Sequence, residues 1–274
     1  MIDLQDKPIA ITGASSGIGR ATALACARTG MPVAVMARRR EMLDELVDEI
    51  RRGGGRATAF AGSVDDADAC VRFIEQSEAE LGPTYAVFAN AGYGMEKPVL
   101  ASTEDELRRM FEVNFWGSLN VIRPALPGML ERGQGHVLMC SSCISKLGVP
   151  CYAPYCSTKA CQDMFGRVMR HELSSRGVHV STIHPVSTRT EFFETAATQS
   201  GHEIRLMDRM TERFMQPAER VADAVVRCLR KPRGEVWTSV STRLSMAFAL
   251  ACPGLADRAL GRMARKKLGI GELP

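Results

Sequence analysis

A tyrosine and a lysine lie four residues apart in the run Tyr155-Cys156-Ser157-Thr158-Lys159. On a helix, residues at this spacing lie on the same face. A phenol ordinarily has a pKa of about 10, and a nearby ammonium favours the phenolate. The pair therefore has the chemistry to exchange a proton with a substrate near neutral pH, although an isolated pair of this kind is more often a surface contact.

A second chemical feature is the glycine-rich run Thr12-Gly13-Ala14-Ser15-Ser16-Gly17-Ile18-Gly19. It follows the short apolar segment Ile9-Ala10-Ile11 and precedes Arg20 to Thr29, whose composition favours a helix. Between a strand and a helix, backbone amides and the positive helix end can meet a pyrophosphate. Glycines alone would be weak support, because they also end strands for steric reasons, but this position favours a dinucleotide site.

Apolar runs alternate with helical stretches along the rest of the chain. The helical stretches are expected at 41–52, 65–81, 103–132, 156–176 and, opened by Gln216-Pro217, up to Leu229. The remaining strands are expected at 32–37, 57–61, 86–89, 136–140, 178–183 and 235–240. This alternation predicts an α/β protein: a doubly wound Rossmann-type fold, with a seven-stranded, mostly parallel sheet and helices on both faces.

The chain is expected to form one domain over residues 1–274, because no linker rich in Pro, Gly or Ser interrupts the alternation. Two segments fit it poorly. Residues 188–215 are predicted to be a substrate lid, and residues 241–274 a C-terminal extension. The lid candidate is apolar and contains Phe192, Phe193, Leu206, Met207, Met210, Phe214 and Met215. This favours an apolar substrate, although such residues more often pack within helices.

The spacing TGxxxGxG, the run Asn90-Ala91-Gly92 and the YxxxK pair together resemble the classical short-chain dehydrogenase/reductase family, from about Lys7 to Val240. The resemblance implies a catalytic tetrad. Tyr155 would be the general acid or base and Lys159 would also hold the nicotinamide ribose. Ser142, preferred on spacing to its neighbour Ser141, would hydrogen-bond the substrate carbonyl. Asn114 would hold a water in a proton relay.

The preferred nicotinamide cofactor follows from the end of the second strand, Val35-Met36-Ala37-Arg38-Arg39, which lacks an acid for a ribose hydroxyl. A guanidinium there can pair with a 2′-phosphate, so NADP (NADPH) is favoured over NAD. Family resemblance supports Arg38 first and Arg39 second. The alternative is that these arginines only form a solvated helix start.

The resemblance extends the cofactor site to further positions, two of which depart from the family pattern. Ser63 replaces the usual acid beside the adenine, and Val186 replaces the usual glycine near the nicotinamide. The expected cofactor-binding set is Gly13, Ser15, Ser16, Gly17, Ile18, Gly19, Arg38, Arg39, Ser63, Val64, Asn90, Ala91, Gly92, Tyr155, Lys159, Pro185, Val186 and Thr190.

Three other chemically capable groups are expected to play lesser roles. Tyr152 has no lysine four residues later and would at most line the substrate pocket. His184, alone at a strand end, is expected to be structural. The pair Cys140 and Cys143 is formally a CxxC, but no second pair completes a zinc site, so no metal is expected.

Composition and charge limit the classes of partner that the protein is expected to bind. The net charge of +4 is too mild to argue for nucleic acid. The first residues lack the order of a secretory signal, and nine cysteines without that context are expected to be free thiols in a cytoplasmic protein. The family resemblance implies a homodimer or homotetramer, with the helices near 103–132 and 156–176 as its interface. The C-terminal extension is expected to pack on its own domain or a partner subunit, with peripheral membrane contact left open.

The sequence therefore predicts an NADP-dependent oxidoreductase that transfers hydride between the nicotinamide and an alcohol or carbonyl substrate. An enoyl or imine reductase on the same fold is the first alternative, because the fold does not fix the bond that is reduced. A non-catalytic NADP-binding regulator or membrane-associated scaffold is the second.

Overall fold

The computed structural model of the chain describes residues 1–200 and 215–268. The strands are β1 (Ile9–Thr12), β2 (Val33–Ala37), β3 (Ala57–Ala61), β4 (Ala86–Ala89), β5 (Gly135–Cys140), β6 (Val178–His184) and β7 (Glu235–Trp237). The α-helices are α1 (Gly17–Ala27), α2 (Arg40–Arg52), α3 (Ala67–Leu81), α4 (Glu104–Phe111), α5 (Gly117–Glu131), α6 (Ala153–Leu173), α7 (Phe192–Ser200), α8 (Ala218–Arg230), α9 (Val240–Ala251) and α10 (Pro253–Leu268).

The seven strands form one sheet in the order β3-β2-β1-β4-β5-β6-β7, and every neighbouring pair is parallel. The predicted Rossmann-type α/β fold is confirmed, and the sheet is wholly rather than mostly parallel. The chain order reverses between β1 and β4. In open sheets of this kind, ligands bind outside the carboxyl ends of the strands at that reversal.

Each face of the sheet has its own core. On one face, Ile11 of β1 packs with Leu43 of α2 and Val221 of α8. On the other face, Val87 of β4 packs with Phe73 of α3 and Val121 of α5. Strands covered on both faces are apolar on both faces, which explains why the predicted strands lack polar alternation.

The long helix predicted over 103–132 is interrupted in its middle. A π-helical segment, Glu112–Trp116, joins α4 to α5 and contains Asn114. Such an extra residue per turn is frequent at functional sites, because it turns side chains and carbonyls away from the regular ladder. Asn114 is fully buried within this segment.

The predicted last strand over 235–240 is wrong at its carboxyl end. The strand stops at Trp237, and α9 begins at Val240. The Ser239 side chain accepts a 3.2 Å hydrogen bond from the Thr242 amide and caps the helix. The apolar residues after 237 therefore form a helix, because a serine cap stands in front of them.

The described part of the C-terminal extension consists of α9 and α10, separated at Cys252. α9 carries an exposed apolar stripe. Val240, Leu244 and Phe248 are 74, 66 and 61% exposed. Among the described helices, none is both long enough and apolar enough to cross a membrane.

Candidate active site

A cleft of about 720 Å³ opens at the carboxyl edge of the sheet. One end lies at the glycine-rich loop between β1 and α1, and the other reaches Phe192 of α7. Tyr155 and Lys159 lie on its wall. The strand reversal at β1 and β4 therefore coincides with the cleft that contains the predicted chemical groups.

The glycine-rich loop has no room for side chains at its glycines. Gly13 has a φ of +66°, and a Cβ there would lie 2.8 Å from the Cα of Ala91. Gly17 has a φ of +55°, and a Cβ there would lie 2.9 Å from the Thr190 methyl. A backbone that must be bare in this way is what close approach of a pyrophosphate requires. The loop fits the phosphates of a dinucleotide.

Asn90 holds the loop to the sheet. Its side-chain amide donates to the carbonyl oxygens of Thr12, at 3.0 Å, and Gly13, at 3.3 Å. The amides of Asn90 and Ala91 donate in turn to the Thr12 hydroxyl, at 3.1 and 3.2 Å. The predicted run Asn90-Ala91-Gly92 thus sets the shape of the loop from the neighbouring strand.

The two predicted arginines take different positions at the cleft. Arg39 reaches over the loop, and its guanidinium donates to the Ser15 hydroxyl at 2.9 Å and the Ser16 hydroxyl at 3.1 Å. The same nitrogen donates to the Glu191 carboxylate at 2.8 Å. Arg38 lines the cleft and is exposed. Two guanidinium groups therefore stand at the mouth of the groove, one of them already paired.

The Ser63 side chain is already engaged in a hydrogen bond with Asp65. Burial would raise the pKa of Asp65, but the hydrogen bonds with Ser63 and Arg109 outweigh burial, and the pKa of Asp65 is lowered. Val64 is buried, and its carbonyl accepts a 3.0 Å hydrogen bond from Asn120. Ser63 and Val64 both line the cleft.

Tyr155 is buried, and burial raises its pKa, while a hydrogen bond with the Ser142 side chain acts in the opposite direction. We expected the Lys159 ammonium to lower the pKa. The net direction in the structure is upward, because burial of the phenol outweighs the favourable contact with Ser142. The Lys159 ammonium lies 5.6 Å from the centre of the phenol ring and donates to the Cys140 carbonyl oxygen instead. The phenol is therefore held in its protonated form.

Lys159 is anchored at the end of β5. Its Nζ donates to the Cys140 carbonyl oxygen at 2.7 Å and to Oε1 of Gln162 at 2.9 Å. Burial lowers the pKa of this ammonium. The lysine thus sits at the cleft wall with two of its three donors directed into the protein.

Of the two candidate serines, the geometry favours Ser142. The Ser141 hydroxyl donates to the Lys159 carbonyl oxygen at 2.9 Å, deep under the helix. The Ser142 side chain faces Tyr155 and lines the cleft. It is therefore placed to meet a substrate oxygen beside the phenol.

Asn114 is tied to the loop after β4 rather than open to the cleft. Its Oδ1 accepts from the Tyr93 amide, and its Nδ2 donates to the Tyr93 carbonyl, both at 2.9 Å. Nδ2 also lies 3.2 Å from the Thr158 hydroxyl. The side chain thus links the loop after β4 to α6, which supports Tyr155 and Lys159.

The second phenol near the site, Tyr152, is engaged elsewhere. Its hydroxyl donates to Glu96 at 2.7 Å, and burial raises its pKa. Its ring lines the cleft beside Ile144, Val149 and Phe192. The structure thus gives the two phenols different surroundings, and only Tyr155 faces Ser142.

His184 lies behind the Ser142 turn. Its Nδ1 is 3.1 Å from the Ser142 carbonyl oxygen, and its ring stacks on Trp237 at 4.5 Å. Its Nε2 is 3.3 Å from Asp163. These contacts fit the structural role expected from the sequence.

Asp163, His184 and Glu235 bring one ligand atom each within 4.8 Å of one another, a cluster that sequence reasoning missed. The Lys146 ammonium lies between the two acids, 2.5 Å from Asp163 and 3.3 Å from Glu235. A buried cation that already neutralises the carboxylates makes this an ion-pair network. The side chains came together only through the pairing of β6 with β7.

Val186 lies on the cleft wall with its backbone turned inward. Its amide donates to the Thr238 hydroxyl at 3.2 Å, and its carbonyl accepts from the Thr188 hydroxyl at 2.7 Å. Pro185 and Thr190 line the same wall. Val186 therefore lines the cleft at the position where the family pattern has a glycine.

The predicted lid begins as α7, and its Phe192 ring lies 5.3 Å from the Tyr155 ring. Its two ends meet at the base, where Thr188 pairs with Gln216 and the Arg189 amide donates to the Gln216 carbonyl at 2.9 Å. Leu206, Met207, Met210 and Phe214 lie outside the described residues. The described part of the lid gives the cleft an apolar end.

Sequence reasoning missed Glu191, Glu96 and Gln162. Glu191 gave no signal in the sequence, because its partner Arg39 lies 152 positions away. Gln162 carried a weak signal, since it lies one helical turn after Lys159 and so on the same face.

The chain is similar to known dehydrogenases over most of its length. Residues 7–201 match the short chain dehydrogenase family. A short chain dehydrogenase of Pseudocercospora fijiensis is 34% identical over 241 residues, which cover 85% of this chain and 78% of that protein.

Two solved structures are similar. An alcohol dehydrogenase from the archaeon Thermococcus sibiricus, complexed with 5-hydroxy-NADP, has a TM-score of 0.73 and 27% identity, covering 84% of this chain and 95% of that one. A short chain dehydrogenase/reductase from Burkholderia phymatum in complex with NAD has a TM-score of 0.84 over 93% of this chain and 96% of that one. At 22% identity, the latter shows the shared fold alone.

Proposed function

The chain belongs to the short-chain dehydrogenase family and is an NAD(P)-dependent oxidoreductase, and we propose that it uses NADP to reduce an apolar carbonyl compound or oxidise the corresponding alcohol. The observation that carries the proposal is the meeting of Tyr155 and Ser142 on the wall of the cleft that begins at the glycine-rich loop. The catalytic tetrad would be Asn114, Ser142, Tyr155 and Lys159.

The protein's own groups would move the proton. When bound, the nicotinamide supplies or accepts the hydride. The Ser142 hydroxyl donates to the substrate oxygen and orients it against the phenol. Because burial raises the pKa of Tyr155, the phenol is in the form that donates a proton to a carbonyl oxygen.

Lys159 and the loops around it would hold the nucleotide. Lys159 lies on the cleft wall with one donor left for the nicotinamide ribose. The amides of the glycine-rich loop would hold the phosphates. Arg38 and Arg39 would hold the 2′-phosphate of NADP. The alcohol dehydrogenase of Thermococcus sibiricus, solved with an NADP analogue, supports this choice.

The substrate would be apolar. Tyr152, Ile144 and Val149 form one wall beside Tyr155, and Phe192 of α7 covers its ring. Such surfaces bind apolar groups by removing them from water. We propose that residues 1–274 work as a single domain in which 188–215 form the substrate lid.

The exposed apolar side chains and the free cysteines support proposals for the partners and the location. Apolar side chains on α6 and beside α5 are exposed and would form a homodimer or homotetramer interface: Trp116, Met164, Phe165 and Val168. The exposed apolar stripe of α9 would give a peripheral membrane contact. All nine cysteines are free, which supports a cytoplasmic location.

The decisive experiment measures NADPH oxidation with a panel of aldehydes, ketones and lipid-like carbonyls, alongside enones and imines. Tyr155→Phe should lower kcat by about a hundredfold or more, the range of a lost general acid, while NADPH binding measured by fluorescence persists. Tyr152→Phe should retain the chemistry, and Tyr85→Phe, far from the cleft, controls for loss of a phenol.

Each alternative has its own outcome in this experiment. Turnover of enones or imines but not carbonyls would identify the enoyl or imine reductase. Tight NADPH binding without any turnover would identify the non-catalytic regulator or scaffold. Substantial carbonyl turnover by Tyr155→Phe would overturn the assignment of the acid.

A further inference from the structure

Gln162 is fully buried behind the proposed catalytic lysine and makes three hydrogen bonds there. Its Oε1 accepts from Nζ of Lys159 at 2.9 Å. Its Nε2 donates to the main-chain carbonyl of Asn114 and to the Ser118 hydroxyl, both at 2.7 Å. A single carboxamide thus bridges the ammonium on α6 to the π-helical segment before α5.

The hydrogen bonds around Gln162 use the full acceptor capacity of the Asn114 carbonyl oxygen. The Asn114 carbonyl accepts from Gln162 and also from the Ser118 hydroxyl at 2.9 Å, which is the usual capacity of a carbonyl oxygen. On the other side, Lys159 also donates to the Cys140 carbonyl. The expectation that Asn114 holds a relay water meets an obstacle here, because both its side chain and its main-chain carbonyl are bonded to protein groups.

We propose that Gln162 is a positioning residue that fixes Lys159 by this bridge and closes the interior path between Lys159 and Asn114 to protons. A carboxamide donates and accepts hydrogen bonds but does not gain or lose a proton near neutral pH. Tyr155 then regains its proton from the cleft. The part of this inference that concerns turnover rests on the proposed function.

Two substitutions separate bridging from packing. Gln162→Leu keeps much of the volume and removes all three bonds. Gln162→Ala leaves a small cavity bordered by the Lys159 ammonium, the Asn114 carbonyl and the Ser118 hydroxyl, enough polar partners to hold water. If Gln162 bridges, Ala should retain a kcat about tenfold higher than Leu, because water restores the contacts.

A packing role gives the reverse order, since leucine fills the space that alanine leaves empty. The pH profile of kcat is measured for the same variants. The leucine variant should have its ionisation shifted upward, because a less firmly held ammonium stabilises the phenolate less. The alanine variant should show a smaller shift.

A second readout uses the protein without cofactor or substrate. Among the described residues, the titratable groups that face Lys159 are Tyr155 on its own helix and Cys140 at the end of β5. Burial lowers the pKa of Lys159 in the folded state, so this group costs stability at neutral pH and the cost fades as pH rises toward the unfolded pKa. Removing the Gln162 acceptor should enlarge that cost.

Urea unfolding of Gln162→Leu should therefore show a larger loss of stability at pH 7 than at pH 10. The pH dependence of this loss should disappear when Lys159→Met is also present. Gln76→Leu is the matched control, because Gln76 makes part-buried bonds to Thr58 and Ala59 far from the cleft. Its cost should not depend on pH in this way.

The outcomes are distinct. Equal kcat for the leucine and alanine variants, or a higher one for leucine, together with a pH-independent loss of stability, would overturn the bridge. Absence of turnover in the unsubstituted protein would count against the proposed function only, and the unfolding measurements would still decide whether Gln162 anchors Lys159.

Discussion

Arg39 donates a 2.8 Å hydrogen bond to Glu191, and this contact joins the end of β2 to the start of the lid across the mouth of the nucleotide groove. The pair is about half exposed on both sides. The Arg39 hydrogen bond lowers the pKa of Glu191, so the carboxylate is charged at neutral pH. A 2′-phosphate arriving at Arg39 would meet this negative charge.

Glu191→Gln should therefore strengthen NADPH binding by about two- to fivefold, the range of a half-exposed ion pair, and strengthen NADH binding less. The gain should shrink in high salt. Fluorescence titration of both nucleotides measures it. Glu104→Gln removes the exposed partner of Arg108, a pair that does not line the cleft, and should change neither affinity. An equal gain for NADH would show that Arg39 does not contact the 2′-phosphate.

Val186→Gly should improve NADPH binding, because it removes a side chain from the cleft wall beside Pro185 and Thr190. Val186 is not among the residues with positive φ, so the backbone does not require glycine there. The free energy of unfolding should fall by about 1 kcal/mol from the added flexibility of the unfolded chain. Calorimetric titration with NADPH checks the affinity, and Ser187→Gly serves as the neighbouring control. Weaker binding would mean that the valine itself contacts the nucleotide.

Lys146→Met should destabilise the protein by about 3 kcal/mol, because it leaves the buried Asp163 carboxylate short of its cation. Burial alone would raise the pKa of Asp163, but hydrogen bonds from His184 and Lys146 lower it well below its usual range. This stabilisation is present above the unfolded pKa of about 3.9 and is lost as pH falls below it.

The acid dependence of urea unfolding checks this prediction. Below about pH 4 the unsubstituted protein should lose stability steeply, and the Lys146→Met variant less so, since its Asp163 pKa lies closer to the unfolded value. Arg40→Met breaks an exposed pair with Asp44 and should leave both stability and acid dependence nearly unchanged. Identical acid curves for all three proteins would contradict the network.

The stripe of Val240, Leu244 and Phe248 on α9 should bind anionic membranes. The same two C-terminal helices also carry exposed arginines: Arg243 on α9, and Arg258, Arg262 and Arg265 on α10. Apolar side chains combined with positive charge are typical of helices that lie in a lipid interface. Sedimentation with vesicles containing anionic lipid should carry the protein down, and Leu244→Ser with Phe248→Ser should abolish this.

Neutral vesicles are the control for the electrostatic part of that binding. Light scattering on the same double variant identifies the competing occupant. A fall in molecular mass on substitution, without vesicle binding by the unsubstituted protein, would assign the stripe to a second copy of the chain instead.

Much of the site could be predicted from the sequence because its parts are local. The glycine-rich run and the Tyr155–Lys159 pair each depend on spacing within a few residues, and the parallel α/β class follows from the alternation of strands and helices. The position of Asn114 was predicted, but its π-helical surroundings were not, since no residue type marks an extra residue in a helical turn.

The remaining features depend on contacts between distant segments. The pKa of Tyr155 moves upward because of burial, which spacing alone does not reveal. Glu191 reaches Arg39 over 152 positions, and Lys146 lies between Asp163 and Glu235 only because β6 pairs with β7. Such pairs become visible when the chain is folded.

The pairing of Thr188 with Gln216 brings the two ends of the proposed lid to one point of the protein. The cost of closing a loop depends only weakly on its length, so an insert whose ends meet in this way can change in length at little cost to the rest. Under the proposed function, the substrate range would change through this one insert, while the groups proposed to handle hydride and proton stay fixed at the sheet. Exchanging the insert between relatives would then change substrate selectivity.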